Sequence, residues 1–428
     1  MEWNLTFHPT YWAGKKLVYP DVPAAHPKFA QSIVVGNLVI VSGCVGQDVV
    51  TMAATPKGIE EQVWLSLTNT KTAMETAGSS MGNIIKTFFL ITSLDDYQAV
   101  RKTETEFYEA HAPELITNPP AATLMVIPSL ARPEFRCEYE VIGVVDRSRS
   151  DCPVTYYPEY WGGTELAYPH VPKEHAKFAR SQVADGLVIL SGCQALDHDS
   201  VRTETDDVGE QSRIVLDKLR VGMEETGGSL ETMVKTNVFV KSSDDLATYR
   251  KVEKAYFDEF APSLAETPPA STGFIVDELP RPEFLVEVEA SGVAGSSLAG
   301  WPVRFYPGTE IAAAGASAGR LLFLSGIDGT DPDSGRIETD DIEQQLLIAM
   351  EKARITLEAA GSSMNNVIKT LMMLKRLEDY SVMRKTEFDF CQQHAPTLVT
   401  RPPASTFMKL PEISVPGSLF QIDITAVL

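Results

Sequence analysis

The sequence predicts an α+β protein in which one β-β-α-β-α-β-β domain occurs three times in tandem. The main observation is a set of short motifs that return at constant separation. An Ile/Val-Lys-Thr triplet contains Lys86, Lys235 and Lys369, so successive copies lie 149 and 134 residues apart. An Arg-Lys pair and a Pro-Pro-Ala run return at the same two separations. A register kept over this length requires the same succession of strands and helices in each copy.

Each predicted element of the first copy follows from its local pattern. Two runs rich in Val and Ile, at 32–35 and 38–41, flank a two-residue turn and indicate a hairpin. Apolar residues at helical spacing predict a helix over 59–77 that stops at Gly78. A buried strand is expected at 84–91, and a second helix begins near Asp96 and ends before Pro113. The last two strands are expected at 122–127 and 135–144, and the Pro- and aromatic-rich stretch 11–29 is expected to be an ordered loop.

The other two copies repeat this plan. In the second, a hairpin is expected over 183–191, a helix ending at Gly227, a strand at 233–240 and a helix from Asp244. The third follows from Leu321 onward, and its 15-residue shortening lies in the opening loop, before Ser325. We therefore expect domains over residues 1–148, 149–296 and 297–428.

Composition restricts the class of protein. A chain of 428 residues with 44% hydrophobic residues suits three cores. The net charge of −21 argues against a nucleic-acid partner, because phosphate binding needs clustered Lys and Arg. Five cysteines without close pairing predict reduced thiols. Without a signal-peptide pattern or an apolar run of about 18 residues, the expected location is cytoplasmic, with no membrane partner.

Together the motifs resemble the Rid superfamily, the reactive-intermediate deaminases or YjgF-type proteins. They comprise a strand ending in Ser-Gly, a helix closing at Ala-Gly-Ser-Ser, the Lys triplet, the Pro-Pro-Ala run and a final Glu-x-Glu strand, and they cover nearly the whole chain. The resemblance implies a chorismate-mutase-like, YjgF-like fold, usually a homotrimer with a central barrel, outer helices and ligand sites between subunits. Three fused copies then imply an intramolecular pseudo-trimer, with further homo-oligomerisation left open.

The chain departs from that family at the carboxylate-binding position. Deaminating members carry an Arg directly after the Pro-Ala, and its planar fork holds a substrate carboxylate by two hydrogen bonds. The matching residues here are Ala122, Ser271 and Ser405. We therefore expect ordinary 2-imino acids to be deaminated weakly or not at all. The family's pocket Tyr is replaced by Phe29 and Phe178.

Other polar positions supply candidates for substrate binding. They are the strand-end serines, a helix Arg where the family often has Asn, and an Arg before the final strand: Ser42, Ser191, Ser325, Arg101, Arg250, Arg384, Arg132 and Arg281. The helix arginines have two interpretations. They are relocated cations that do part of the missing Arg's work, or exposed residues that pair with a Glu three positions later. The second arrangement is the commoner one.

Repeats 1 and 2 share a set of reactive residues that repeat 3 lacks. The set is His26, Lys28, Cys44 and Glu138 in repeat 1, and His175, Lys177, Cys193 and Glu287 in repeat 2. Repeat 3 has Ile327 and Gln421 in place of the Cys and Glu. A thiolate beside His or Lys would be a nucleophile, or the Glu would act as a general base. Ordinary roles stay open: a buried thiol, a loop-surface His and a solvated Glu.

These residues lead to a functional hypothesis. We expect a hydrolase or deaminase-like enzyme that acts on a small nitrogen-containing metabolite in an inter-repeat cleft. The alternative is a non-catalytic, small-molecule-binding or protein-stabilising pseudo-trimer. The sequence lacks Cys-x-x-Cys, metal-type His spacing and a dinucleotide fingerprint, so no cofactor and no metal are expected. We hypothesise one competent cleft per chain, in which neighbouring repeats share the reactive set; if all groups come from one repeat instead, two clefts are complete.

Overall fold

The computed structural model describes residues 5–12, 15–16, 29–49, 51, 53, 55–150, 152–161, 164–166, 178–197, 200 and 202–428. Each of the three copies contains a mixed sheet and two long helices, so the predicted α+β class is confirmed. No helix in these ranges is long and apolar enough to cross a membrane.

The elements of the three repeats correspond closely. Repeat 1 has strands β1 Leu5–Pro9, β2 Tyr11–Trp12, β3 Lys15–Lys16, β4 Ala30–Val35, β5 Leu38–Val45, β6 Ile84–Ile91, β7 Ala121–Val126 and β8 Cys137–Val144, and helices α1 Ile59–Thr76, α2 Tyr97–His111 and α3 Glu114–Thr117. Repeat 2 has strands β9 Val154–Trp161, β10 Thr164–Leu166, β11 Ala179–Ala184, β12 Leu187–Leu190, β13 Cys193–Gln194, β14 Met233–Val240, β15 Ala270–Ile275 and β16 Val286–Val293, and helices α4 Val208–Glu225, α5 Ser243–Phe260 and α6 Pro262–Glu266. Repeat 3 has strands β17 Val303–Tyr306, β18 Gly315–Ala318, β19 Leu321–Leu324, β20 Ile327–Asp328, β21 Val367–Leu374, β22 Ala404–Lys409 and β23 Phe420–Val427, and helices α7 Ile342–Ala359, α8 Tyr380–His394 and α9 Pro396–Thr400.

The final strand of each repeat lies in the middle of its sheet. In repeat 1 the order is β1-β4-β5-β8-β6-β7, and only β6 and β7 are parallel, because α2 and α3 connect them. The helices cover one face, where Leu67 and Phe107 pack against Phe89 and Tyr139 of the sheet. The final strand is therefore held from both sides, which fixes the polar residues that it carries.

An edge strand precedes the hairpin in every repeat, and the sequence did not predict it. β1 pairs with β4, β9 with β11, and β17 with β18, all antiparallel. These strands are partly exposed and do not have the continuous apolar run that identifies a buried strand. In the stretch predicted to be an ordered loop, β2 pairs with β3, and residues 17–28 lie outside the described part of the chain.

Backbone contacts of one kind connect the repeats. The N–H of Ala179 in repeat 2 donates to the carbonyl of Pro120 in repeat 1, at 2.9 Å. Equivalent bonds join Ala313 to Pro269 at 3.3 Å, and Ala30 to Pro403 at 2.9 Å. Each Pro-Pro-Ala strand thus meets the hairpin of the next repeat, and repeat 3 returns to repeat 1.

Two buried clusters draw on all three repeats. One contains Ile85, Val234 and Ile368 from the Lys triplets, together with hairpin residues. The other contains Phe88 and Phe239 with their repeat 3 counterpart Leu371. The sheet face that the helices leave uncovered is therefore buried against the other repeats, as an apolar sheet face requires.

The sheets do not close by hydrogen bonding among the described residues. Repeats 1 and 2 share a 14-stranded sheet, whereas repeat 3 forms a separate seven-stranded sheet. A central barrel, in the sense of one closed sheet, is not observed, and the pseudo-trimer stays a prediction.

Candidate functional site

The candidate site residues lie in three clefts, each between the Pro-Pro-Ala strand of one repeat and the Ser-Gly strand of the next. We name them the 1–2, 2–3 and 3–1 clefts after the repeats that form them. The backbone N–H of Ala122 donates to Ser191 Oγ at 2.8 Å across the 1–2 cleft. The equivalent bonds join Ser271 to Ser325 at 2.8 Å, and Ser405 to Ser42 at 2.9 Å.

The three predicted substrate-binding serines therefore hold the clefts together. Each hydroxyl also donates to the carbonyl of an Ala in its own repeat, with distances of 2.5 Å for Ser42, Ser191 and Ser325. A hydroxyl has one proton to donate, and that proton is already engaged. These serines thus fix the junction between repeats.

Glu287 lies on β16 in the 1–2 cleft. Its side chain is 0% exposed, and an added Cβ on Gly192 would come within 1.8 Å of its Oε1. Neither carboxyl oxygen has a hydrogen-bond partner of normal geometry within the described ranges. Burial raises the pKa of Glu287 to about 8, and the neighbouring Gln194 side chain, followed by the Lys86 and Arg101 cations, opposes that shift. At neutral pH the carboxyl is mostly protonated.

Glu138 is the counterpart of Glu287 in the 3–1 cleft. It is buried on β8, and a Cβ on Gly43 would come within 1.7 Å of its Oε1. Burial raises the pKa of Glu138 to about 8, the negative charge of Glu140 adds to this effect, and Arg384 of repeat 3 opposes it. Two clefts therefore hold a buried carboxyl that titrates near neutral pH, with an Arg supplied by the preceding repeat.

The 2–3 cleft has an amide at this position. Gln421 Oε1 accepts a hydrogen bond from Ser414 Oγ at 2.8 Å, and its Nε2 donates to the carbonyl of Gly273 at 3.4 Å. A Cβ added at Gly326 would lie 2.0 Å from that Nε2, so a larger residue at position 326 would displace the Gln421 side chain. The amide keeps the shape of the glutamate sites but cannot exchange a proton at neutral pH.

The positions of the helix arginines agree in part with each of the two interpretations of the sequence. Arg101, Arg250 and Arg384 pair with the Glu three residues later at 2.8, 2.7 and 3.0 Å. The expectation that they are exposed was wrong, because Arg101 is 5% and Arg384 is 3% exposed. Arg101 lies in a cavity that Phe178 and Gly192 of repeat 2 also line, which the periodicity of one helix cannot reveal.

Arg250 reaches the position that the family's Arg would occupy. Its Nη2 donates to Ser271 Oγ at 2.7 Å, and Ser271 is the residue directly after Pro-Ala. In the 1–2 cleft, Arg101 lines a cavity together with Ala122, the equivalent residue. The helix Arg thus places a guanidinium in the cleft, although the residue directly after Pro-Ala is not an Arg.

The two candidate nucleophilic cysteines are protonated. Burial raises the pKa of Cys44 and of Cys193 to about 12. Their thiols face backbone carbonyls, with Cys44 Sγ 3.4 Å from Ser42 O and Cys193 Sγ 3.5 Å from Ser191 O. Since a thiolate is the reactive form, this geometry disfavours a nucleophilic role.

In the 1–2 and 3–1 clefts, the Cys and the Glu come from the same repeat. Cys193 is paired with Val288 and Gln194 with Glu287, while Cys44 is paired with Tyr139. Two clefts therefore each carry a Cys and a Glu, whereas the hypothesis of one competent cleft required neighbouring repeats to share them. His26, Lys28, His175 and Lys177 lie outside the described residues.

Two of the four remaining predicted residues line the 1–2 cleft. Phe178 and Arg281 line the cavity that also contains Glu287. Phe29 is half-buried, and its carbonyl accepts from Thr10 Oγ1 at 2.9 Å. The guanidinium of Arg132 lies 5.7 Å from the ring of Phe135, and that of Arg281 lies 5.8 Å from the ring of Phe284.

The cavities of the 1–2 and 2–3 clefts differ in size. The cavity beside Arg101 and Glu287 has a volume of about 40 Å³. A neighbouring cavity of about 280 Å³ shares Phe178 and Gly192 with it and extends to Cys193 and Lys218. The cavity of the 2–3 cleft has about 870 Å³. No group of three or more His, Cys, Asp or Glu in the described ranges is placed to hold a metal ion.

A second set of polar contacts between repeats was missed at the sequence level. The triplet lysines form buried ion pairs with carboxylates of the neighbouring repeat: Lys86 with Glu289 at 2.5 Å, Lys235 with Asp423, and Lys369 with Glu140 at 3.0 Å. The sequence shows the three recurring lysines, and it shows the second Glu of the Glu-x-Glu strands in repeats 1 and 2. Their pairing depends on how the repeats meet.

Comparison with known proteins supports the same family. A statistical model of the family described as Endoribonuclease L-PSP matches residues 20–145, 169–294 and 311–428. The chain belongs to this family. The Rid or YjgF relationship inferred from the motifs is thereby confirmed, in three tandem copies.

Individual relatives each match about one repeat. A RutC family protein of Pyrococcus horikoshii is 35% identical over 82 residues, 19% of this chain, and the match spans slightly less than two thirds of that protein, 65%. The 2-iminobutanoate/2-iminopropanoate deaminase of Salmonella typhimurium is 29% identical over 130 residues, 30% of this chain and 97% of its own length. The crystal structure of the YjgF gene product of E. coli is 28% identical, covers 31% of this chain and 99% of that one, and superposes with a TM-score of 0.26.

Proposed function

We propose that the 1–2 and 3–1 clefts hydrolyse a carbon–nitrogen bond of a small metabolite, with an imine as the preferred substrate class. The observation that carries this proposal is the buried carboxyl of Glu287, and of Glu138, next to a guanidinium from the preceding repeat. A carboxyl with a pKa of about 8 is able both to donate and to accept a proton near neutral pH. Membership of a family that contains imine deaminases agrees with this chemistry.

The reaction would proceed in two proton-transfer steps. In the 1–2 cleft, neutral Glu287 donates its proton to the imine nitrogen while water adds to the imine carbon, and the carboxylate accepts a proton from the added water. Neutral Glu287 then protonates the amine nitrogen of the carbinolamine, the C–N bond breaks with release of ammonia, and the carboxylate takes the hydroxyl proton as the carbonyl product forms. The small volume of the cavity beside Glu287 suits a substrate of few atoms.

The paired arginines favour substrates without a full negative charge. Arg101 and Arg384 are already neutralised by Glu104 and Glu387 at 2.8 and 3.0 Å. A substrate carboxylate would have to share the guanidinium with a buried carboxylate, which is unfavourable at this distance. Uncharged imines should therefore react faster than 2-imino acids.

We also propose that the three repeats form an intramolecular pseudo-trimer. The Ala–Pro backbone bond, the Ser-mediated bond and the Lys–carboxylate pair occur once at each junction, including the return from repeat 3 to repeat 1. Such repetition supports a pseudo-threefold arrangement even though the sheets are not joined into one.

The test is ammonia release from two substrates generated in situ, uncharged 2-iminobutane and 2-iminobutanoate. We expect the full chain to accelerate the first more than the second, with an apparent pKa of about 8 in the rate profile. The Glu138→Gln/Glu287→Gln variant should lose a factor of about 100 in rate. Glu283→Gln, at a side chain that is 44% exposed, is the control. Equal rates for the double variant and the unmodified chain would refute the proposal.

The non-catalytic alternative has one observation in its favour. In the 2–3 cleft the carboxyl is replaced by Gln421, while the junction bond between Ser271 and Ser325 is kept at 2.8 Å. If the full chain does not accelerate ammonia release from either imine, ligand binding without turnover becomes the better account of all three clefts.

A further inference from the structure

We propose that the 1–2 and 3–1 clefts accept different substrates: the 1–2 cleft an imine with an apolar tail, and the 3–1 cleft an imine whose tail donates a hydrogen bond. The inference rests on the proposed function, because it names the substrates of the same two sites. The position that determines the choice is Leu196 in repeat 2 and its counterpart Gln47, 149 residues earlier, in repeat 1.

A second cavity continues the 1–2 cleft beyond Glu287. The cavity of about 40 Å³ beside this carboxyl and the neighbouring cavity of about 280 Å³ share four wall residues, Phe178, Gly192, Gln194 and Leu196. All residues that line the two cavities lie in the described part of the chain. A substrate whose imine lies at Glu287 therefore extends its tail past Leu196 into the larger cavity.

Apolar side chains and paired charges form the wall of the larger cavity. Leu196, Ile214 and Val221 belong to this wall, and Val221 is 38% exposed. The charged side chains of the wall already have partners: Arg180 pairs with Glu159 at 3.3 Å, Asp217 accepts from the Tyr256 hydroxyl at 2.6 Å, and Lys218 donates to the carbonyls of Gln194 and Leu196 at 2.9 and 2.5 Å. An apolar tail would remove the Val221 side chain from water, whereas a charged tail would compete with these contacts.

The equivalent position in repeat 1 carries an amide in the same local structure. The N–H of Gln47 donates to the carbonyl of Val45 at 2.9 Å, as the N–H of Leu196 donates to that of Gln194 at 2.8 Å. Val45 and Gln194 each pair in register with the buried glutamate of their repeat. Gln47 and Leu196 therefore stand at the same place relative to the carboxyl of their cleft.

The Gln47 side chain lacks a donor for its oxygen. It is 5% exposed, and its Oε1 has no hydrogen-bond partner among the described residues. A buried acceptor without a donor is unfavourable, and a ligand that supplies an O–H removes that cost. The wall changes in the same direction at a second position, since Thr72 stands where repeat 2 has Val221. An apolar tail in this cleft would leave the amide oxygen unpaired.

The test compares two imines of equal length that differ at the end of the tail, 2-iminoheptane and 6-hydroxy-2-iminohexane. Glu138→Gln leaves the 1–2 cleft as the working site, so this variant should hydrolyse 2-iminoheptane faster, by about 10-fold in kcat/KM. Glu287→Gln leaves the 3–1 cleft, and there the hydroxylated imine should be the faster substrate. The short substrate 2-iminobutane does not reach the tail position, so both variants should hydrolyse it equally.

Exchange of the determining residue tests the assignment. Leu196→Gln, added to the first single-cleft variant, should lower the preference for 2-iminoheptane by about 10-fold, and Gln47→Leu, added to the second, should raise it by a similar factor. Val221→Thr changes an exposed position of the same cavity and should lower the preference without altering the core. Leu347→Gln, at an exposed position of repeat 3, is the control.

Binding of the ketone product separates this inference from the proposed function. The Glu138→Gln/Glu287→Gln variant should bind 2-heptanone in a calorimetric titration, and added Leu196→Gln should weaken that binding by about 10-fold. Equal substrate ratios in the two single-cleft variants, or 2-heptanone binding that Leu196→Gln and Val221→Thr leave unchanged, would overturn the inference. Absence of ammonia release from every imine would refute the proposed hydrolysis, and the titration would then decide the tail preference by itself.

Discussion

At the scale of single residues, two glycines give the carboxyls their environment. Gly43 and Gly192 leave the space that Glu138 and Glu287 occupy, and any larger residue would enter it. The sequence shows the Ser-Gly pair and the Glu-x-Glu strand, so both partners were visible. Their contact was not, because it depends on strand register.

The Gly192→Ala variant tests this packing. The added methyl would lie within 1.8 Å of Glu287 Oε1, so the carboxyl must move out of its place. We expect the 1–2 cleft to lose its activity while the fold persists, leaving the contribution of the 3–1 cleft. Gly300→Ala, whose added Cβ would meet only the carbonyl oxygen of Ser297 at 3.8 Å, controls for general effects of removing a glycine. Unchanged ammonia release by Gly192→Ala would contradict the packing argument.

The same carboxyls make stability depend on pH. Their pKa is raised from 4.5 to about 8 in the folded chain, so the folded state binds more protons than the unfolded state between these values. The unfolding free energy should therefore fall as pH rises from 4.5 to 8, by roughly 1 kcal/mol per pH unit for each carboxyl. Urea unfolding at pH 5, 6.5 and 8 measures this slope. The Glu138→Gln/Glu287→Gln variant should show a flatter dependence, and an equal slope would contradict the assignment.

At the scale of elements, the sequence predicted the strands and helices whose pattern can be recognised within a single repeat. The strands Ile84–Ile91 and Met233–Val240 were placed correctly from their apolar runs, and the helices from their spacing and glycine stops. The edge strands were missed because their partly exposed residues carry no such run. The burial of Arg101 and Arg384 was missed because the periodicity of one helix does not show what packs over these side chains.

The triplet lysines belong to this scale, since each joins a strand of one repeat to the final strand of the next. Lys235→Met would remove the partner of Asp423, which is buried, and should destabilise the chain by about 3–5 kcal/mol. The Lys235→Met/Asp423→Leu variant should recover most of that loss, because no unpaired charge remains. Lys385→Met, which removes an exposed helix pair with Asp389, should change stability little. Urea unfolding distinguishes these outcomes, and a harmless Lys235→Met would contradict the buried-pair account.

At the scale of the whole molecule, fusion places three unequal clefts in one chain. If the repeats form an intramolecular pseudo-trimer, light scattering should give a mass near 46.9 kDa, or a small multiple of it. Residues 297–428 expressed alone should self-associate or precipitate, because the sheet face with Ile368 is buried against the other repeats. A soluble, monomeric third repeat would contradict the proposed pseudo-trimer.

The central claim is that the 1–2 and 3–1 clefts are catalytic and the 2–3 cleft is not. The rate of ammonia release from 2-iminobutane by single variants tests this claim most directly. Glu138 and Glu287 lie in different clefts, so Glu138→Gln and Glu287→Gln should each remove about half of the rate, and the double variant nearly all of it. Gln421→Ala should leave the rate unchanged. A single substitution that abolishes all activity, or a double variant that keeps it, would contradict the account.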